Sequence, residues 1–241
     1  MIGQQIIRAP KTFTHDARGC LFLDLERITQ PNGVRHYITP EGNKYPSVTT
    51  MLSATADHAF LKIWKETVGD EQAEKIKNYS ARRGNVIHSL FHEYLDHGFV
   101  DITKSMPDVR QMVRDSIAIL DDINNIVVQE KPLYSDELRL AGSPDCIGEY
   151  CGILSNIDFK NARNYRSSLQ IRDYFLQCTA YALMFEHLYH FHIPQIVVII
   201  AVENGSGQVF VEPTYKYVSE LHQRIEAYET LQKEQQQVGM G

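Results

Sequence analysis

Asp158 and Lys160 stand two apart in Ile157-Asp158-Phe159-Lys160, the one Asp/Glu-x-Lys triplet of the chain. On a strand, residues two apart face the same side, so this triplet sets a carboxylate beside an ammonium. Such a pair suits a metal-bound acid next to a cation that orients or deprotonates a water. The same triplet also reads as a solvated ion pair at a strand end. Upstream, Gly142-Ser143-Pro144-Asp145 is a turn that delivers Asp145 to the mouth of the following strand. A hairpin partner of Asp158 placed there brings two carboxylates near one point, and such a pair resists full ionisation unless a cation lies between them. Mg²⁺ is held by one or two carboxylates, with waters and phosphate oxygens completing its shell, so the pair is of the right size. Asp145 as a plain turn residue is the alternative. His88 falls at the edge of the apolar stripe Ile87, Leu90, Phe91 and Tyr94 of an expected helix, either as a structural histidine or as a ligand. His92, one turn on, lacks the neighbouring glutamate of a zinc protease helix and is expected at the surface or behind the ligands. Gln177 and Tyr181, four apart, share a flank of a long helix, where they can hold a phosphate or a water, or simply sit at the boundary of a core helix.

The elements that must position these residues follow from periodicity and turn residues. Alternation predicts strands at about 20–29 and 34–39, joined by the Pro31-Asn32-Gly33 turn. Helices are expected at about 57–68, 70–79, 84–96 and 107–123, the first two separated by Gly69 and the last opened by Pro107. Strands follow at about 126–134, 137–140, 146–150 and 153–159. Ser167 and Gln170 form a capping box that opens a helix to about residue 190. Its apolar stripe is Ile171, Tyr174, Phe175, Cys178, Ala182, Phe185 and Tyr189. A hairpin at about 195–203 and 208–212 and an amphipathic helix at about 218–232 close the chain. Helices in front, a central mixed sheet, a long helix and more sheet make an α/β or α+β order. A single domain over 1–241 is expected, with a helical elaboration at about 47–123, a catalytic core at about 80–215 and a C-terminal helix at about 216–235.

Composition sets wide bounds. With 241 residues, 43% hydrophobic and 22% charged, the chain can bury a full core. The longest apolar run, 196–202, is far too short to cross a membrane. The first residues lack the apolar stretch of a secretory signal, and Arg8, Lys11 and Arg18 make a faint transit-peptide pattern. The four cysteines, Cys20, Cys146, Cys151 and Cys178, show no CxxC spacing and fit reduced thiols. A net charge of −6 confines any nucleic-acid surface to a local patch.

Order and spacing together say more than any one motif. Arg83-Gly84-Asn85-Val86-Ile87-His88, Gly142-Ser143-Pro144-Asp145, Ile157-Asp158-Phe159-Lys160 and Gln177-Cys178-Thr179-Ala180-Tyr181 resemble, in order, the four motifs of RecB-like nucleases of the PD-(D/E)XK superfamily. Upstream, Tyr45-Pro46-Ser47-Val48-Thr49, Leu61-x-x-Trp64 and Val68-Gly69 resemble the front half of the mitochondrial genome-maintenance exonucleases and their phage relatives. The resemblance implies a restriction-endonuclease-like core. It implies that His88, Asp145, Asp158 and the Phe159 carbonyl bind Mg²⁺ or Mn²⁺, and that Lys160 positions or activates the attacking water. Gln177 and Tyr181 would contact the DNA backbone or steady Lys160. Arg83 would lie near a phosphate, and Ser143, Asn161 and Arg163 are further candidates for DNA contact. Asn161 stands where the family has Thr or Ser, which leaves its role open. Because Cys146 and Cys151 fall between the two acidic motifs and only Cys178 follows them, no iron–sulfur cluster is expected.

The expected activity is metal-dependent hydrolysis of DNA, single-stranded and entered from a free end, in replication, recombination, repair or phage DNA metabolism. Trp64, Tyr79 and Tyr165 are candidates for stacking on bases or for the core. The rivals are an endonuclease of the same fold and a catalytically dead DNA-binding subunit. The expected compartment is the cytoplasm of a bacterium or phage host, with the mitochondrial matrix as the alternative.

Overall fold

The computed structural model describes residues 5–57 and 59–238, with the side chains of 59–62, 64, 236 and 238 left outside that description, Trp64 among them. After β1 (Ile6–Arg8), three short strands, β2 (Glu26–Thr29), β3 (Arg35–Ile38) and β4 (Lys44–Pro46), form an antiparallel meander. The expected strand at 20–29 shortens to its last four residues. Its first half instead packs as irregular chain, with the Phe22 ring 5.1 Å from that of Tyr189. Ser47 caps α1 (Val48–Ala54) by accepting from the Thr50 N–H, and the helix buries Val48, Met51 and Leu52.

Helices α2 (Ala59–Val68) and α3 (Asp70–His97) are separated at Gly69, whose φ of 82° suits glycine alone. The sequence predicts two helices over 70–96, yet α3 is continuous through Gly84. A Cβ at 84 would lie 2.6 Å from the Asn161 Nδ2, so this glycine serves a close approach of helix to sheet and does not stop the helix. Beyond it come β5 (Phe99–Asp101), which pairs with β1, and α4 (Pro107–Leu120), opened by its proline as expected.

The second half of the chain then runs β6 (Ile123–Gln129), β7 (Leu133–Ser135), β8 (Leu140–Gly142), β9 (Cys146–Tyr150) and β10 (Ile153–Ala162). After a 3-10 turn carrying the Ser167/Gln170 capping box come α5 (Arg172–Tyr189), β11 (Gln195–Val202), β12 (Gln208–Pro213) and α6 (Val218–Val238). The central sheet has five strands in the order β12-β11-β10-β9-β6. β10 and β11 are parallel, with α5 in the crossover that parallel pairing requires, and the other neighbours are antiparallel.

Alternation along the strands divides the core in two. Ile157, Phe159, Val197 and Ile199 pack with Ile87, Phe91 and Val113 from α3 and α4. Ile196, Val198 and Ile200 pack on the other face with residues of α1, α5 and α6, including Met51, Phe175 and Leu221. This is a mixed α/β architecture, a five-stranded sheet flanked by helices on both faces. Every residue of α5 from Phe175 to Ala182 is buried, so the single apolar stripe expected there widens to the whole circumference. Gln177 and Tyr181 are therefore held inside the protein. No described helix is long and apolar enough to cross a membrane.

Candidate active site

The site exists because β9 is half as long as β10. Their ladder ends at the pair Ile157–Cys146, so the last five residues of β10 pair with β11 alone. Asp145, immediately before β9, fills the gap, and its Oδ2 accepts a 2.7 Å hydrogen bond from the Phe159 N–H. A strand residue directs its N–H and C=O towards the same edge, so the Phe159 carbonyl faces this gap too. The Phe159 ring stands on the face opposite Asp158 and Lys160 and packs edge-on against Phe91 at 5.3 Å and His88 at 6.1 Å. His88 comes over the end of the sheet from α3, placing its Nδ1 3.5 Å from Asp145 Oδ2.

Asp158 and Lys160 project from the same side of β10, as the two-residue spacing predicts. Lys160 Nζ lies 2.5 Å from both carboxylate oxygens and 5.0 Å over the Tyr174 ring. Gln177 Nε2 donates to Asp158 Oδ1 at 2.9 Å. Asp158 Oδ2 is buried and receives no well-aligned hydrogen bond, which leaves it a lone pair short of a partner. Tyr181 closes the wall against Gly142, where a Cβ would come within 2.9 Å of its ring.

Charge inside the gap is strongly coupled. Burial alone would raise the Asp145 carboxyl, but His88 and Lys160 outweigh it and hold the group below its usual range. Burial, reinforced by Asp145 and opposed by Lys160, pushes Asp158 up to about 6. Burial works against the Lys160 ammonium, yet Asp158 and Asp145 overcome it and hold the lysine protonated well above neutral pH. His88 loses solvation, but its bond to Asp145 favours the imidazolium and raises its pKa. The Tyr181 phenol, pushed up by burial and both acids, stays neutral. The two carboxylates are thus drawn apart in proton affinity, as expected of acids sharing one small site.

Among the described residues one group of three side chains could hold a cation: ligand atoms of His88, Glu130 and Asp145 lie within 4.8 Å of one another. No cysteine takes part. Two of the expected ligands are in that group, whereas Asp158 stands beside it, paired with Lys160. Glu130 was not anticipated. The last rung of β6 against β9 is Gln129–Cys146, so one step further puts Glu130 opposite Asp145; its N–H bonds the Pro144 carbonyl at 3.1 Å. That pairing spans fifteen residues of sequence and no local pattern announces it. Glu130 also holds a left-handed backbone, φ 56°. Reduced hydration, with the nearby Asp145 charge, raises its carboxyl pKa. The oxygen-rich set with one imidazole fits a hard divalent ion such as Mg²⁺ or Mn²⁺.

The remaining candidates separate. Ser143 lines the cleft, about 580 Å³, that opens over Asp145 and Lys160. Arg83 is buried, its guanidinium committed to Glu203 and to Asn161 Oδ1 at 3.1 Å, with Asp108 at 3.9 Å. Asn161 ties β10 to α3 by this bond and by a 3.4 Å contact to the Ser80 carbonyl. Neither Arg83, Asn161 nor the exposed Arg163 borders the cleft. Of the aromatic candidates, Tyr79 binds Asp108 at 2.7 Å, and the Tyr165 hydroxyl accepts from the Ser206 N–H at 3.0 Å.

A mixed sheet between helix layers, with two acids and a lysine gathered where one strand stops short, is consistent with an α+β nuclease core. The chain is similar to mitochondrial genome maintenance exonuclease 1 of Xenopus tropicalis, 30% identical over 177 residues, which cover 67% of this chain and 49% of that protein. The Mus musculus protein of the same name is 27% identical over 206 residues, covering 79% of this chain and 61% of its own length. The Homo sapiens protein is 26% identical over 196 residues, covering 75% and 57%. The chain thus spans about half to three-fifths of the length of the curated relatives it matches. This likeness supports a link to a nuclease family. No family model matches the chain.

Proposed function

We propose that the chain is a metal-dependent DNA exonuclease of the PD-(D/E)XK class, acting as one domain on single strands entered from a free end. The observation that carries the reading is the meeting of Asp145 with Asp158 and Lys160 in the gap beyond β9, where the Asp145 carboxylate binds the Phe159 N–H at 2.7 Å. The relatives' names as exonucleases support the reaction. They also favour the mitochondrial matrix over a bacterial or phage-host cytoplasm. His88, Glu130, Asp145, Asp158 and the Phe159 carbonyl would hold Mg²⁺ or Mn²⁺, which when bound supplies Lewis acidity and a nucleophilic water near pH 7.

Lys160 would act as a positive charge beside the attacked phosphate, its protonated form favoured by the neighbouring Asp158 and Asp145. Gln177 holds Asp158 in place, and the neutral Tyr181 offers a hydroxyl to the DNA backbone. Ser143, which lines the cleft, would touch a phosphate. Arg83 and Asn161 work indirectly, by fixing α3, and with it His88, against β10.

Glu130→Gln and His88→Ala are each expected to weaken Mn²⁺ binding by about 10–100-fold, the range seen when metal-site partners are removed, with small changes in melting temperature. Titration calorimetry with Mn²⁺ checks this; unchanged affinity in Glu130→Gln would remove that residue from the ligand set.

End-labelled linear and closed circular single strands test the whole reading. With Mg²⁺ or Mn²⁺ the linear strand should be degraded and the circle left intact, and EDTA should stop the reaction. Cutting of the circle would make the protein an endonuclease of the same fold. Binding without cutting under every metal condition would make it a DNA-binding module.

A further inference from the structure

The meander β2–β4 is not needed to gather the acids and the lysine, yet it forms the opposite wall of the cleft. Cross-strand partners share a face of a sheet. The registers Arg27–Tyr37 and Thr29–Arg35 therefore put Arg27, Arg35 and Tyr37 on one side, and all three line the cleft with His88, Asp145 and Lys160. The segment Tyr45 to Thr49, singled out in the sequence, explains how Arg35 is held. Ser47 N–H donates to the Arg35 carbonyl at 2.8 Å, Thr50 Oγ1 accepts from the Arg35 N–H at 3.0 Å, and Thr49 Oγ1 accepts from the guanidinium at 2.8 Å. Ser47 in turn caps the helix that carries both threonines.

What this cradle lacks is a carboxylate. Arg18, Arg83, Arg172 and Arg224 each have an acidic partner. Arg27 and Arg35 have none among the described residues, in a chain with 30 acidic residues and a net charge of −6. Arg35 also borders a second groove, about 560 Å³, lined by amides and hydroxyls such as Gln30, Asn32, Thr50, Ser53 and Gln232, and free of acids. Among the described residues, the only acids lining the first cleft are Glu130 and Asp145, at the proposed cation. A guanidinium held by the Thr49 hydroxyl and without a carboxylate partner, where the cleft meets the acid-free groove, is arranged for an extended anion.

We infer that Arg35, held by Ser47, Thr49 and Thr50, and Arg27 beside it form a phosphate clamp that leads the nucleic-acid backbone from the cleavage cleft into the neighbouring groove. The clamp rests on the proposed nuclease reading and adds to it the path of the strand. It binds phosphates flanking the one that is cut and reads no base, so its contribution is electrostatic and the same for all sequences.

The test uses the full chain with labelled single-stranded oligonucleotides, assayed in Mg²⁺ from 50 to 300 mM salt. Arg35→Gln should raise KM roughly tenfold, as loss of a charged hydrogen bond does, with a smaller effect on kcat. Each of Arg35→Gln and Arg27→Gln should flatten the dependence of log KM on log salt by about one unit, because one phosphate contact is lost. Thr49→Val, which removes the cradle hydroxyl and keeps the charge, should give an intermediate KM. Arg35→Lys should restore the salt slope and only part of KM. Arg27 is exposed and has no partner among the described residues, so its variant decides the matter even where Arg35→Gln fails to fold. Wild-type KM and salt slope in Arg27→Gln together with wild-type KM in Thr49→Val would overturn the clamp while leaving the nuclease standing. A wild-type protein that neither binds nor cuts the strands would overturn both.

Discussion

Replacing Lys160 by alanine is expected to lower kcat at least a thousandfold, a loss of about 4 kcal/mol of transition-state stabilisation. The structure adds a cost in folding that the sequence did not forecast. Asp158 is almost wholly buried, at 2% side-chain exposure, and Lys160 is its counter-charge at 2.5 Å. Without the lysine, burial and Asp145 remain, and the Asp158 pKa rises beyond about 6. An acid whose folded pKa lies above its unfolded value favours the folded state at low pH, and that advantage is lost as pH rises through the folded pKa. The variant should therefore melt close to the wild type at pH 5 and lose about 3 kcal/mol by pH 8 in the absence of metal. Melting curves at the two pH values and single-turnover cleavage in Mg²⁺ check the two halves separately. Undiminished cleavage would take the lysine out of the mechanism.

Asp145→Asn carries the second large effect, with the opposite balance. The amide oxygen can still accept from Phe159 N–H, so the end of the sheet stays closed and the melting temperature should change little. The charge is lost, and with it a proposed metal carboxylate and the anion that favours the His88 imidazolium. Turnover should fall roughly a thousandfold and Mn²⁺ binding should weaken steeply. Relieved of the Asp145 charge, Asp158 should titrate below its present value of about 6. Calorimetry with Mn²⁺ and the cleavage rate measure both; near-normal rates at saturating metal would exclude Asp145 as a ligand.

Much of this was legible because it is local. A two-residue spacing on a strand put Asp158 and Lys160 on one face, and the turn at 142–145 led Asp145 to a strand mouth. The strand at 146–150, the capping box at Ser167 and the hairpin strand starts at 195 and 208 likewise come from neighbours in sequence. What escaped depends on partners far along the chain. Gly84 reads as the start of a separate helix until Asn161, on another element, is seen to press against it. Gln177 and Tyr181 read as a boundary pair until the sheet and α1, α6 and β7 close around α5. The resemblance puts Arg83 near a phosphate, and its pairing with Glu203, one residue past β11, is visible only in the fold. Glu130 required the register of β6 on β9, which periodicity does not specify across an intervening hairpin.

The backbone at Glu130 has a consequence of its own. A side chain in the left-handed region is held there at a cost of about 1–2 kcal/mol, which glycine would not incur. Glycine at this position would relax the loop while deleting the carboxylate. If Glu130 holds the proposed cation, thermal resistance and cation affinity are set against each other at this single residue, and selection for a sturdier protein alone would favour losing the carboxylate.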